Sequence, residues 1–466
     1  MSIPGSLRHV SALAAAGLLV AVSAGCGAGP AGTPSVAPTT SAPTTAAPAS
    51  APLQTVDLAV PSAYAGSPFD EPRTVLVPSG WSVSVFARVD AARLLAWTPD
   101  GRLLVSRPKA GEVDVVTPST GDRPVGPTST KTLLSGLNQP HGLAFHDGRL
   151  YVAQSDRVDT YAYAAGQASD PKPVVTGLPD AKSPDLRGAY AHALKSVAVG
   201  PDGAVYVSVG STANISPEDR DADPQRATIL RVPPGGGQAE VFARGVRNGT
   251  GLAIAPDGAV WTAVNNRDNV EYPYDRDFDG DGSSDLGQVV RDYVGEHPLE
   301  PLARLTQGRD LGWPYCNPDP DVDPGVKGTA LDYSNRPFVR DVETNADGSK
   351  LDCSTLAPVE QGMGAHSAPL GLSFTPGAGL PAPYGVGALV GIHGSWDRTP
   401  PRAPEVSFFA YQNGNLGDQQ TLLSGFQSSD GDRWGRPVAA VQGPDGAVYV
   451  SDDVAGAIYR MEPPAS

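Results

Sequence analysis

LLAWTPDGRLLVS (94–106) sets the pattern of the chain: an apolar pair, an Asp-Gly, then an apolar alternation. The phrase returns as GLAFHDGRLYVAQS (142–155), SVAVGPDGAVYVSVGS (196–211), GLAIAPDGAVWTAVNN (251–266), a degenerate GLSFTPGAGLPAPYGVGALVGIHGS (371–395) and AAVQGPDGAVYVSDD (439–453). Asp-Gly supplies the positive φ angles of a tight turn, and the flanking alternation gives each strand one buried face, so each copy reads as a β-hairpin. One hairpin cannot bury its own face. Units recurring every roughly 40–50 residues stack as small sheets, and the closed form of that stack is a β-propeller. Six copies predict an all-β, six-bladed propeller. Its loops gather round a central axis, so chemistry is sought among loop residues that share one phase of the repeat.

The bulk numbers fit. The chain has 466 residues, with Gly 54 and Pro 47, which suits many short strands joined by turns. A formal charge of −16 argues against nucleic acid, which needs a basic surface. No GxGxxG after a strand, Walker loop or GxSxG occurs, so nucleotide, nicotinamide and α/β-hydrolase chemistry find no support.

Residues 1–26 read as a targeting segment: Arg8 and His9, the apolar run SALAAAGLLVAVSA, then Gly25-Cys26. VSAGC resembles a bacterial lipobox, which implies lipid attachment at Cys26, a membrane tie through the lipid alone, and an extracytoplasmic domain. Residues 27–72 are rich in Ala, Pro, Thr and Ser and read as a disordered tether. The propeller is expected over 73–463, with strand 74–79 or 82–89 joining the hairpin at 447–462 to close the ring. The longest interruption, about 267–365, reads as an ordered Asp-, Pro- and Gly-rich insertion. With Cys26 lipidated, Cys316 and Cys353 remain, and an exported protein pairs them.

Several side chains could carry chemistry. His192 precedes the third hairpin and Lys195 follows it by three. Arg247-Asn248 precedes the fourth hairpin; Arg433 and Arg436 precede the sixth. HGSWDR, with His393, Trp396 and Arg398, ends the fifth. Cations at one phase of several blades collect at one end of the channel, where guanidinium forks suit carboxylates. Asn266-Arg267-Asp268 ends the fourth hairpin. DRDFDGDGSSDLG (275–287) follows, with Asp277, Asp279, Asp281, Gly282 and Asp285 matching the first part of a calcium loop; position twelve is Gln288.

Together LNQPHGLAF (137–145), AHALKSVAVGPDG (191–203), VRNGTGLA (246–253), GRDLGWPYCNPDPDVDPG (308–325), HSAPLGL (366–372), HGSWDR (393–398) and GRPVAAVQGPDGAVYVSDD (435–453) resemble the pyrroloquinoline quinone-dependent sugar dehydrogenases, in the branch of L-sorbosone and soluble glucose dehydrogenases. The resemblance covers about 75–462. It implies a six-bladed propeller binding the quinone over the axis with Ca²⁺, a sugar substrate and an external electron acceptor. It casts His192 as the catalytic base. Arg247 and Asn248 would lie beside cofactor and substrate, and Arg436 on the quinone carboxylates. Either Gln139 or His141 would approach the quinone, and backbone carbonyls near Asn266–Asp268 would hold the active-site calcium. Trp396 and Arg398 fall where glucose dehydrogenase uses Lys. The competing reading is a non-redox propeller: a calcium-dependent lactonase, which needs several acidic ligands at the axis, or a binding module. The recurrent Arg phase favours the dehydrogenase.

Overall fold

The structure is a computed structural model that describes residues 51–121, 125–186 and 188–464. The targeting segment, Cys26 and the start of the tether lie outside the described residues. Among those described, no helix is long and apolar enough to cross a membrane.

Six small sheets, antiparallel except where Arg309–Asp310 runs parallel to Glu240–Arg244 in the third, form the ring of a six-bladed β-propeller. Every repeat is the inner hairpin of one blade: Leu95–Trp97 with Leu103–Arg107, Leu143–His146 with Arg149–Ala153, Val197–Val199 with Val205–Val209, Gly251–Ile254 with Val260–Ala263, Pro369–Thr375 with Gly387–Ile392, and Pro437–Gln442 with Val448–Asp452. The first strand of each blade touches the first strand of the next, and the sixth returns to the first. Of the two candidates for closure, Ser82–Arg88 pairs with Ala457–Glu462, while Thr74–Pro78 takes Leu53–Asp57 as its partner.

The leading glycine of the repeat has a packing cause. A Cβ at Gly142 would lie 2.5 Å from Val197 N in the next blade, and one at Gly371 would lie 2.6 Å from Ala439 Cβ. Inner strands can approach this closely only without a side chain. Serines complete the seams: Ser196 Oγ donates to Thr250 O at 2.5 Å and Ser373 Oγ to Ala440 O at 2.7 Å. Between blades lie apolar layers, such as fully buried Trp261, Val390 and Phe409. Burying each such side chain is worth roughly 1.5–3 kcal/mol. On the axis, Leu95, Leu143, Leu252 and Leu372 leave a cavity of only ≈ 50 Å³. The hub is therefore plugged by side chains, and polar chemistry is confined to its mouths.

Two boundaries differ from expectation. The tether does not extend to residue 72, because Leu53–Asp57 is a strand and Leu58 and Phe69 pack with Val75 and Tyr459. Composition had masked the alternation in LQTVDLAV. The insertion does not stand apart from the ring either. Glu300–Leu305 and Gln361–Met363 are the third and fourth strands of blade four. The loops between carry a small sheet, Cys316–Pro318 with Phe338–Arg340, and the expected Cys316–Cys353 disulfide, Cα atoms 5.7 Å apart.

Candidate functional site

In an antiparallel hairpin, the start of the first strand and the end of the second share one edge. Loops entering and leaving all six hairpins therefore meet on one face. There a cavity of ≈ 290 Å³ is lined by His192, Arg247, Asp268, His393, Arg433 and Arg436, among others. These come from blades three to six, and the phase argument finds four of them.

His192 is held by Ser211. Its Nδ1 lies 3.0 Å from Ser211 O and 2.9 Å from Ser211 Oγ, and that hydroxyl itself donates to Ala213 O. Both atoms therefore accept from the imidazole, which assigns the proton to Nδ1. Nε2 is left as a lone-pair acceptor with no protein partner among the described residues. Burial, then the charge of Arg247, lowers its pKa to about 3, so the ring is neutral at pH 7. A methyl at Gly210 would sit 2.5 Å from His192 Cβ; that glycine makes room for the ring.

Each arginine is aimed by uncharged oxygens, backbone carbonyls and, for two of them, a side-chain amide. Arg247 donates to Asn214 O at 3.2 Å, Asn214 Oδ1 at 2.9 Å and Asn265 O at 3.1 Å. Arg433 donates to Gln427 Oε1, Ser395 O and Arg402 O; Arg436 donates to His393 O and Gly394 O. Nη1 of both Arg433 and Arg436 has no protein partner among the described residues. Burial lowers Arg247 and Arg436 to about 10, which leaves both charged at neutral pH. Against them stands Asp268, the one carboxylate lining the cavity among the described residues. Burial raises its pKa, but the His366 hydrogen bond and Arg247 bring it below the usual value.

Behind the cavity runs a second network. Asp453 Oδ1 accepts from His393 Nε2 at 2.8 Å and Oδ2 from Arg93 Nη1 at 2.9 Å; Arg93 Nη2 lies 3.5 Å from His141 Nε2. Burial opposes ionisation of Asp453, yet His393 and Arg93 hold it at about 2. His141 is fully buried, and burial and Arg93 keep it neutral. It is a packing residue behind the cavity and does not line it.

Other expected residues fall elsewhere. Gln139 is exposed on a left-handed turn, φ 51°. Lys195 is fully buried beneath the cavity, its Nζ 2.8 Å from Ala193 O and 4.5 Å from the Tyr190 ring centre; burial lowers it to about 7. Asn248 is buried and its carbonyl accepts from Asn265 N. Arg398 pairs with Glu296 at 3.1 Å in a neighbouring groove, while Trp396 lines both that groove and the hub cavity. Of the proposed metal ligands, the Asn266 side chain is engaged by Leu299 O and Arg267 N. Arg267 is a buried cation paired with Asp341 and Glu343, so its side chain is no ligand. Asp277, Asp279 and Asp281 do converge, with carboxylate oxygens within 4.8 Å. Asp285 turns inward and accepts from Phe278 N at 2.7 Å and Asp279 N at 3.1 Å, closing the loop. Sequence reasoning missed Ser211, Asp453 and His366. The first two follow the second strand of a hairpin, at the phase of His393, and that signal could have found them. His366 had no such mark.

The propeller thus carries, over its plugged axis, a cationic pocket lined by two imidazoles, of which His192 has a free Nε2. Residues 75–463 match the TrAA12-like family, and the chain belongs to it, a family of pyrroloquinoline quinone-dependent oxidoreductases. The fold is similar to the holo pyranose dehydrogenase PQQ domain of Coprinopsis cinerea (TM-score 0.65, 21% identity, 83% of this chain and 97% of that one). It is as similar to the calcium structure of the family AA12 enzyme of Trichoderma reesei (0.65, 21%, 83% and 96%). The soluble aldose sugar dehydrogenase of Escherichia coli, in its apo form, is more distant (0.52, 15%, 82% and 99%). A curated protein of Borreliella burgdorferi, itself uncharacterised, is 22% identical over 83% of this chain and 90% of its own length.

Proposed function

We propose that the protein oxidises a sugar hydroxyl, with pyrroloquinoline quinone as hydride acceptor at the hub cavity. The carrying observation is the donor set: three guanidiniums against one carboxylate, two with an unpartnered Nη1, beside an imidazole whose Nε2 is free. That set suits a polycarboxylate o-quinone, and the cavity is at the lower end of the roughly 300–1,000 Å³ of ligand pockets. Bound there with Ca²⁺, the quinone would supply the electrophile for hydride transfer.

The chain's residues do the rest. Arg433 and Arg436 hold carboxylates through Nη1. Asp268 and nearby carbonyls hold the cation, as oxygen ligands suit a hard ion. His192 accepts the hydroxyl proton at Nε2, and Ser211 keeps the tautomer that makes this possible. The three converging carboxylates of Asp277, Asp279 and Asp281 would hold a second, structural Ca²⁺. Cys26 would tie the domain outside the cytoplasm, and Cys26→Ser should move it from the membrane fraction to the soluble one.

The test is reconstitution with quinone and Ca²⁺, following dye reduction with a panel of aldoses. Sugar-dependent dye reduction is expected. No reduction and no shift of the quinone absorbance would contradict the reading.

A further inference from the structure

Beside the hub cavity the insertion builds a larger groove, ≈ 790 Å³, and Trp396 lines both. This indole is 66% exposed, whereas Trp81, Trp261 and Trp313 are at most 3% exposed. A large aromatic kept in water at the lip of a pocket is a contact surface. It is also firmly seated. Ser395 O accepts from Arg433 at 3.0 Å, and buried Asp397 accepts from Asn269 N at 2.8 Å.

The groove treats charge differently from the hub. Arg291 pairs with Asp397 at 2.9 Å, Lys327 with Asp292 at 2.7 Å and Arg398 with Glu296 at 3.1 Å. His297 meets Asp321 at 3.0 Å; burial disfavours its charge, but Asp319 and Asp321 raise it to about 9. Four cations in the lining are thus each paired with an anion. No lining cation is left for an anionic ligand, among the described residues. The paired groups still offer spare donors and acceptors, next to the apolar faces of Trp396 and Val326. A ligand that is neutral, dense in hydroxyls and carries flat C–H faces meets all of these demands.

We infer that this groove binds the non-reacting units of a neutral oligosaccharide whose terminal sugar lies beside His192, with Trp396 as the stacking platform between the two sites. The inference rests on the oxidoreductase reading for the reacting end only. It makes the preferred substrate a glycan chain end rather than a free monosaccharide.

The test uses cello-, manno- and malto-oligosaccharide ladders of one to five sugars. Binding to the cofactor-free protein is read by calorimetry and tryptophan fluorescence, and kcat/KM is measured on the quinone-loaded protein. At least one ladder should tighten by about 10-fold or more between one and three sugars, and kcat/KM should climb in parallel. Trp396→Ala should remove most of that gain. Val326→Trp, at a 43% exposed position, fills the groove and should flatten the long-to-short ratio. A variant that merely folds badly lowers both ends of the ladder alike and leaves the ratio unchanged. Flat ladders with all three glycans overturn the inference. If monosaccharides are then oxidised normally, the quinone reading survives; if ladders rise but no sugar is oxidised, that reading fails and the groove stands.

Discussion

The hub cavity and the neighbouring groove share one indole yet handle charge in opposite ways. At the hub, loops from separate blades bring arginines together and hold them with backbone carbonyls and side-chain amides, which carry no formal charge. The positive potential is thus left available to a ligand. In the groove, each cation has a carboxylate beside it, and the field is cancelled locally. The two histidines follow suit. His192 is buried with an arginine nearby, and the uncharged carbonyl and hydroxyl at Nδ1 do not offset these, so it stays neutral. His297 stands between two aspartates and is charged. A carbonyl aims a cation without cancelling it, and a carboxylate does both; that difference separates an anion site from a neutral-ligand site.

The comparison can be broken most sharply at His192. His192→Ala should lower turnover by about 10²–10⁴-fold while quinone binding persists; unchanged turnover in single-turnover kinetics would remove it as the base. His297→Gln should leave quinone affinity intact and destabilise the fold by about 3–5 kcal/mol in urea melts, because Asp319 and Asp321 lose their buried counter-charge. Cys316→Ala with Cys353→Ala opens a bridge spanning 37 residues and should cost about 4 kcal/mol at most. A further effect is in pH dependence. His192, depressed to about 3, disfavours the folded state as pH falls below its unfolded value of about 6.5. His297, raised to about 9, contributes stability that is complete below about 6.5 and is lost as pH rises through 9. Imidazole NMR at pH 7 should find the first neutral and the second protonated.

Much of this was legible locally. Asp-Gly turns and alternation placed five of the inner hairpins and a degenerate copy at 371–395 the sixth, and the repeat phase brought His192, Arg247, Arg433 and Arg436 to one face. What stayed hidden depends on distant partners. Leu53–Asp57 looks like tether until Thr74–Pro78 lies beside it. Glu300–Leu305 looks like insertion until it pairs with Val260–Ala263. Arg398 shares a motif with Trp396, but Glu296, some hundred residues earlier, draws it into the groove. Lys195 and His141 sit in motif segments yet are fully buried, and no local pattern separates a lining residue from one packed behind it.

The account stands on uncancelled guanidinium charge at the hub. The direct measurement is the quinone dissociation constant, with Ca²⁺ present, for the wild type, for Arg433→Ala with Arg436→Ala, and for Arg398→Ala. Two charged hydrogen-bond donors at about 1.5–3 kcal/mol each predict a loss of about 100-fold or more for the double variant. Arg398→Ala should change affinity by less than about 2-fold, since its charge is already paired. Equal affinity for the wild type and the double variant would contradict the account.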